Sequence, residues 1–178
     1  MTMRGFAEDI RPAHVPSARR SSRTATLDKK EISVLRAING SLNWLASQSR
    51  PDLSAQTSLS EQPFPNPTVH HLCEANNVVR RAKQHSDLGV KFVPIDPEKL
   101  TLVCHSDAAW ANAGDFTQAG FIIGFAYADL DKGLESSCVP AWKSHRLSRA
   151  VGSTLASSRS SVNGECNWCF RVDISHSI

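Results

Sequence analysis

The residue whose setting most clearly suggests chemistry is Asp107, which closes the apolar run LTLVCHSD. Carboxylate oxygens are preferred ligands of hard divalent cations such as Mg²⁺, so an acid at the end of a strand is a candidate metal ligand. A lone acid at a strand end has a plain structural interpretation as well. The contiguous His105, Ser106 and Asp107 do not make a Ser-His-Asp triad, because neighbouring residues of a strand point to opposite faces.

A second candidate is the pair Cys166 and Cys169, which has the Cys-x-x-Cys spacing of zinc and redox sites. The pair supplies two of the four ligands that a structural zinc ion requires, and His176 would be a third. No second pair exists, and no thioredoxin-like βαβ pattern surrounds the motif. We therefore expect neither a zinc site nor a redox site. Five scattered cysteines, an odd number, indicate reduced thiols in an intracellular protein.

Six basic residues are candidates for contact with a nucleic-acid backbone. They are Arg80, Arg81, Lys83, Lys143, Arg146 and Arg149. A formal net charge of +3 is too small to indicate nucleic-acid binding without further support. A solvated helix face explains the first three nearly as well, so both interpretations stay open for them.

The first elements that position these residues are helices. Apolar residues recur every three or four positions from Glu31 onward, which places them on one helical face. They are Ile32, Leu35, Ile38, Leu42 and Leu45. Asp28 with Glu31 suits the N-terminal cap of this helix, and Pro51 ends the pattern and favours a short second helix. Thr68 is placed to cap a third helix, which we expect to stop near Ser86.

Beyond Gly89 the apolar period shortens to two, which predicts strands. The runs LTLVCHSD, AGFIIGFAYA and SCVPAWKS are three short strands, and STLASS near Gly152 is a candidate helix. Residues 158–178 show neither period. Helices followed by an antiparallel meander predict an α+β (mixed α/β) fold.

Several classes of protein are excluded. Hydrophobic residues make up 40% of the 178, enough for a core, so wholesale disorder is not expected. No apolar run reaches the length of a membrane span, and no signal peptide is evident, so we expect no membrane partner and an intracellular location, in cytoplasm or nucleus. Residues 1–27 are rich in Arg, Ser, Thr and Pro, and we predict a flexible, basic leader.

Six segments that follow one another in a fixed order resemble the end of a copia-type retrotransposon Pol polyprotein. They read LRAINGSLNWLASQSRPDLSA, PTVHHLCEANNVVRRAK, HSDAAWAN, TQAGFIIGF, AWKSHRLSR and STLAS. Each motif is weak by itself, but six in order are specific, and they span about residues 28–157. The resemblance implies that the chain joins the tail of a reverse transcriptase to the start of its ribonuclease H domain.

The resemblance also implies a domain plan. Residues 28–95 match the helical thumb and connection end of the reverse transcriptase. Residues 96–157 match a truncated ribonuclease H-like domain, whose sheet opens with three antiparallel strands and a helix. The tail 158–178 loses the family pattern, which suggests a shifted reading frame. No Tyr-x-Asp-Asp motif is present, since the single tyrosine is Tyr127, so polymerisation by this chain is not expected.

Enzymes of this family cleave the RNA strand of an RNA–DNA hybrid with two divalent ions held by clustered carboxylates. By resemblance, Asp107 is the first of these acids, and so the candidate catalytic and metal-binding residue. The second acid should close Ser-Thr-Leu-Ala-x-Glu, where this chain has Ser158. Glu165 lies about 10 Å further along a helix and does not substitute. We therefore expect a catalytically incomplete chain that binds no Mg²⁺ productively, although the parent family uses it.

The leading expectation is thus a Pol fragment derived from a nuclease. An alternative of another class is a non-enzymatic nucleic-acid-binding or structural module that keeps the basic residues. A third alternative restores nuclease activity by assembly with another Pol chain that supplies the missing acids. The partners implied are an RNA–DNA hybrid or other nucleic acid, and other Pol chains.

Overall fold

A computed structural model describes residues 1–94, 96, 100–109, 117–127, 137–147 and 168–173. The chain divides into two compact units, Met1–Gly89 and Val90–Ile178. The described helices lie in the first unit and the described strands in the second. The α+β class predicted from the sequence is confirmed at this level, and the boundary falls at Gly89, ahead of the predicted position 95.

The first unit is built from five helices and one 3-10 turn in the described residues. They are α1 (Arg4–Asp9), α2 (Ser17–Ser21), α3 (Lys29–Gln48), the turn Pro51–Leu53, α4 (Ser54–Glu61) and α5 (Val69–Gln84). The predicted cap of α3 is present: the Glu31 backbone N–H donates to the Asp28 carboxylate at 2.8 Å, and the Asp28 N–H donates to the Glu31 carboxylate at 2.9 Å. The helix therefore begins where its sequence indicates.

The core of this unit lies between α3 and α5. The apolar stripe predicted for α3 is its inner face, with Leu35 and Leu42 fully buried and Ile32 partly buried. Facing residues of α5 are Val69, Leu72, Ala75, Val78, Val79 and Ala82. Burying one large aliphatic side chain contributes about 1.5–3 kcal/mol, so this core is a main source of the unit's stability.

The leader, predicted to be flexible and solvated, is instead folded. Residues 1–27 contain α1 and α2, and their apolar side chains Ala7, Ile10, Val15 and Leu27 are buried in the same core. These apolar residues show no helical period, because they are too widely spaced to mark one helix face. The prediction of a flexible leader, which rested on polar composition, is therefore wrong. The contacts that order the leader come from residues distant in sequence.

Backbone hydrogen bonds tie the leader to the start of α5. The first N–H groups of a helix have no partner within the helix. Here the Val69 N–H donates to the Ala25 carbonyl and the His70 N–H to the Arg23 carbonyl, both at 2.9 Å. The leader also reaches Gly89 through a bridge from Thr2, and a Cβ at Gly89 would collide with the Met1 carbonyl.

The second unit contains a four-stranded antiparallel sheet in the order β3-β2-β1-β4. Its strands are β1 (Leu100–Ala109), β2 (Thr117–Tyr127), β3 (Ser137–Leu147) and β4 (Trp168–Asp173). The three predicted strands are confirmed. The strand β4 was not predicted: it lies in the stretch 158–178 that shows no period, and it pairs with the free side of β1. The predicted helix near Gly152 lies outside the described residues.

Among the helices that the structure describes, none has both the length and the apolar character needed to cross a bilayer.

Candidate functional site

The face of the sheet that carries Asp107 follows from the strand register. Asp107 lies opposite Gly120 of β2, which in turn lies opposite Ser144 of β3. Directly opposed residues of an antiparallel pair share a face, so these three positions form one row. His105 shares the face of Asp107, whereas Ser106 points to the other side. The expectation that His105, Ser106 and Asp107 form no triad is therefore confirmed.

The Asp107 carboxylate itself is exposed. One of its oxygens accepts the N–H of the next residue, Ala108, at 2.8 Å. On the same face, the Gln118 side-chain amide donates to the Ser144 hydroxyl at 2.7 Å. Gly120 lies between Asp107 and Ser144 and adds no side chain. The exposed acid can accept a cation or a hydrogen-bond donor from solution.

A two-metal site needs several acids around the same point. Within the described part of the chain, no three residues of the types His, Cys, Asp and Glu come together as metal ligands would. Ser158, at the position of the family's second acid, lies outside the described residues. The described residues around Asp107 thus do not supply the ligands that a pair of Mg²⁺ ions requires.

The basic residues predicted on the sheet do not form one patch. Lys143 lies opposite Phe121, and Arg146 lies opposite Gln118. Three steps along a strand reverse the direction of a side chain, so Lys143 and Arg146 lie on opposite faces. Arg146 shares the face of Asp107. Arg149 lies outside the described residues. Lys143 and Arg146 therefore do not share a face, and their contact with nucleic acid stays a prediction.

The basic residues predicted on α5 differ in their contacts, although Arg80 and Lys83, three residues apart, are neighbours on the helix surface. The Lys83 ammonium donates to the Glu8 carbonyl of α1 at 2.6 Å. The Arg81 guanidinium lies 3.9 Å from the Asp52 carboxylate, next to the 3-10 turn. Arg80 is exposed and, within the described residues, has neither a hydrogen bond nor an ion pair. Their contact with nucleic acid stays a prediction.

The Cys-x-x-Cys motif has no described geometry. Cys166 lies outside the described residues, and Cys169 is described only through its backbone, which pairs with His105. Three other cysteines, Cys73, Cys104 and Cys138, are free thiols. The buried Cys138 sulfur accepts the Val93 N–H at 3.0 Å, so this thiol holds the chain entering the sheet.

A cavity in the helical unit was missed by the sequence analysis. It lies between α4 and α5 and has a volume of about 290 Å³. The residues that line it are Gln56, Leu59, Ser60, His71, Glu74, Asn77, Val78 and Arg81. The spacing 71, 74, 78 and 81 marks one face of α5, but its mixture of polar and apolar types carries no hydrophobic period. Only the position of α4 turns that face into a concave site.

His71 has a second role at the start of α5. Its Nδ1 accepts the backbone N–H of Thr68 at 2.9 Å, so the imidazole acts as a capping side chain. Burial lowers the pKa of His71, and the neighbouring His70 lowers it further, while Glu74 opposes the shift. Protonation would convert Nδ1 from an acceptor into a donor and break the cap.

We therefore expect the free energy of unfolding to fall as the pH drops. Because the pKa of His71 is depressed by folding, the unfolded chain binds this proton more readily. The contribution is complete above the ordinary histidine pKa of about 6.5 and is lost below it, as the pH passes the folded value. The check is urea unfolding between pH 5 and pH 8, followed by circular dichroism.

The control variant is His71→Gln, whose amide oxygen can accept the Thr68 N–H without titrating. The wild type should lose stability relative to this variant as the pH falls from about 7 to 5. Parallel pH curves for the two proteins would contradict the role of His71.

The chain was compared with protein families, curated proteins and solved structures, and none of them matches. Function must therefore be inferred from the residues and their geometry.

Proposed function

We propose that this chain is a fragment of a copia-type Pol polyprotein, which associates with nucleic acid inside the cell and does not cleave it. The region joins the end of a reverse transcriptase to the start of a ribonuclease H domain. Cleavage is lost because Ser158 replaces the second acid of the family motif. The chain keeps a helical unit and a sheet, and the sheet carries Asp107, the first acid of the family motif.

The observation that carries this proposal is the place of Asp107 in the sheet. The acid is exposed on β1, in the first strand of an antiparallel β1-β2-β3 meander. The resemblance requires an acid at that strand, in a Ser-Asp-Ala context, followed by two antiparallel neighbours. The six motifs in order and this placement of Asp107 support the same ancestry, although they are separate observations.

The test is binding and cleavage of a labelled RNA–DNA hybrid by the full chain. We expect fluorescence anisotropy to show binding whose log K falls linearly with log salt, with a slope of roughly −0.9 per phosphate neutralised on a B-form duplex and somewhat less on other forms. Added Mg²⁺ should produce no cleavage on a denaturing gel. Asp107→Asn, which removes one negative charge, should bind at least as tightly as the wild type.

Two results would count against this proposal. Cleavage that needs Mg²⁺ and disappears in Asp107→Asn would instead favour assembly with a chain that supplies the missing acids. Failure to bind the hybrid even at low salt would refute the association with nucleic acid. Binding without cleavage is the expected result, and it also fits a non-enzymatic binding module. The Arg146→Gln variant then tests whether the face of the sheet that carries Asp107 contributes to binding, because Arg146 shares that face.

A further inference from the structure

The cavity between α4 and α5 has two chemically different ends. Asp52, just before α4, lies close to Arg81 near the end of α5, so the two packed helices run antiparallel. Gln56 and Arg81 therefore lie at one end, and Ser60 and His71 at the other. From position 71 to position 81 the helix rises about 15 Å. The cavity is thus an elongated slot with a cation at one end.

The middle of the slot is apolar and its far end is polar. Leu59 and Val78 line it from the two helices, and Val78 is buried. At the far end Glu74 supplies an acceptor. His71 supplies a donor, because its Nδ1 already accepts the Thr68 N–H and the neutral ring then carries its proton on Nε2. The burial that lowers the pKa of His71 keeps the ring in this neutral form.

Arg81 is able to serve an incoming anion. Both oxygens of the Asp52 carboxylate are already held by Arg50, at 2.7 and 2.8 Å. The Arg81–Asp52 distance of 3.9 Å is too long for a hydrogen bond, and 49% of the Arg81 side chain is exposed. Its guanidinium can therefore turn toward a phosphate without breaking a short bond, and phosphate is the group that its fork of donors fits best.

We propose that this slot binds a single nucleotide, with the base between Leu59 and Val78 and the phosphate on Arg81. The polar end then faces the base edge, where Glu74 accepts and His71 donates. The Asn77 carboxamide offers a donor and an acceptor, the pairing that side-chain amides make with adenine. A volume of about 290 Å³ lies at the lower limit of small-ligand sites and suits one nucleotide.

This inference concerns the helical unit alone and goes beyond the proposed role of Asp107 in the sheet. The bound nucleotide has two possible sources, a free mononucleotide or an unstacked nucleotide of a single strand. Both present the same base, sugar and phosphate to the slot. The experiment below separates the two sources from each other and from the hybrid binding proposed above.

The test titrates adenosine monophosphate, adenosine and inorganic phosphate into the ¹⁵N-labelled full chain and follows amide shifts by NMR. We expect the monophosphate to shift residues of α4 and α5 and to bind at least tenfold more tightly than either part alone. Arg81→Gln should reduce this preference over adenosine to nearly one. Arg11→Gln makes the same charge change at an exposed residue outside the cavity lining, and should leave the preference intact.

A second variant distinguishes a loss of binding from a loss of folding. Gln56→Trp places a large side chain in the slot from an exposed position of α4, so it should abolish binding while the far-ultraviolet circular dichroism stays unchanged. The proposal is overturned if the monophosphate shifts no residue of α4 or α5 at millimolar concentration. It is also overturned if inorganic phosphate binds equally well, or if Arg11→Gln weakens binding as much as Arg81→Gln.

Competition identifies the source of the nucleotide. An oligoadenylate single strand that displaces the monophosphate from α4 and α5 would assign the slot to an unstacked nucleotide of a strand. Retention of the monophosphate in the presence of the strand would assign it to a free nucleotide. Hybrid binding that persists in Gln56→Trp would show that the slot and the proposed nucleic-acid association are separate properties.

Discussion

Replacing Arg50 by methionine is expected to lower the free energy of unfolding of the helical unit by about 3–5 kcal/mol. The Arg50 side chain is 1% exposed, and its guanidinium makes four hydrogen bonds. It donates to both oxygens of Asp52 and to the backbone carbonyls of Ala82 and His85. The last two lie at the end of α5 and just beyond it, and the His85 carbonyl also accepts the Leu88 N–H at 3.1 Å. One side chain thus joins the 3-10 turn to the end of that helix.

The free energy of unfolding falls because methionine cannot donate hydrogen bonds to these partners. Burial raises the pKa of Asp52, but the hydrogen bonds and charge of Arg50, with the charge of Arg81, outweigh burial and hold that pKa below its ordinary value. Without Arg50, Asp52 would be a half-buried carboxylate with only the distant Arg81 as a cation. The Ala82 carbonyl would also lose the donor that Arg50 supplies, and an unmade buried hydrogen bond costs about 1–3 kcal/mol.

The measurement is urea unfolding followed by circular dichroism at 222 nm, which reports the helical unit. Arg36→Met is the matched control, because Arg36 is exposed and its main contact is with the Phe64 ring, at 5.4 Å. Losing an exposed cation–π contact costs about 0.5–1 kcal/mol. An Arg50→Met protein no less stable than Arg36→Met would show that the buried network contributes little.

The parts of the fold that the sequence predicted well are those set by neighbouring residues. The stripe of α3 repeats over several turns, and its cap needs only Asp28 and Glu31. The strands β1 to β3 each carry a compact apolar run. In both cases the signal and the structure lie within about twenty residues, so a local period is enough to place the element.

The features that were missed depend on residues far apart in sequence. Pairing with β1 gives β4 its structure, and the tail 168–173 shows no period. In the sequence, Arg50 is a charged residue before Pro51 at the end of a helix, a position that is usually exposed. It is buried because α5 packs against it. The separation of Lys143 from Arg146 was predictable, since they are an odd number of residues apart on a strand. The slot between α4 and α5 was not, because it belongs to neither helix alone.

The folded leader gives the second large effect, because a single side chain of α5 satisfies both backbone groups of one leader residue. The Asn76 amide accepts the Ala13 N–H at 2.7 Å and donates to the Ala13 carbonyl at 2.9 Å, which satisfies both backbone groups of that residue. We expect Asn76→Ala to lower the free energy of unfolding by about 2–3 kcal/mol, since two hydrogen bonds are lost and two partly buried groups are left unpaired.

The adjacent residue provides the control. Asn77 is exposed, and its amide contacts only Glu74 of the same helix, at 3.3 Å. Asn77→Ala should therefore cost less than about 0.5 kcal/mol, as surface substitutions usually do. Both variants have the same composition and differ only in whether the leader keeps its amide clamp.

Limited proteolysis distinguishes a loosened leader from a weakened core. Trypsin should cleave the native Asn76→Ala protein at Arg19 or Arg20 faster than it cleaves the wild type or Asn77→Ala, because local opening exposes the leader. Cleavage at equal rates in all three proteins would mean that the leader is solvated, as its composition suggests. Faster cleavage would instead show that the buried Ile10 and Val15 belong to the core, held there through Ala13, which lies between them.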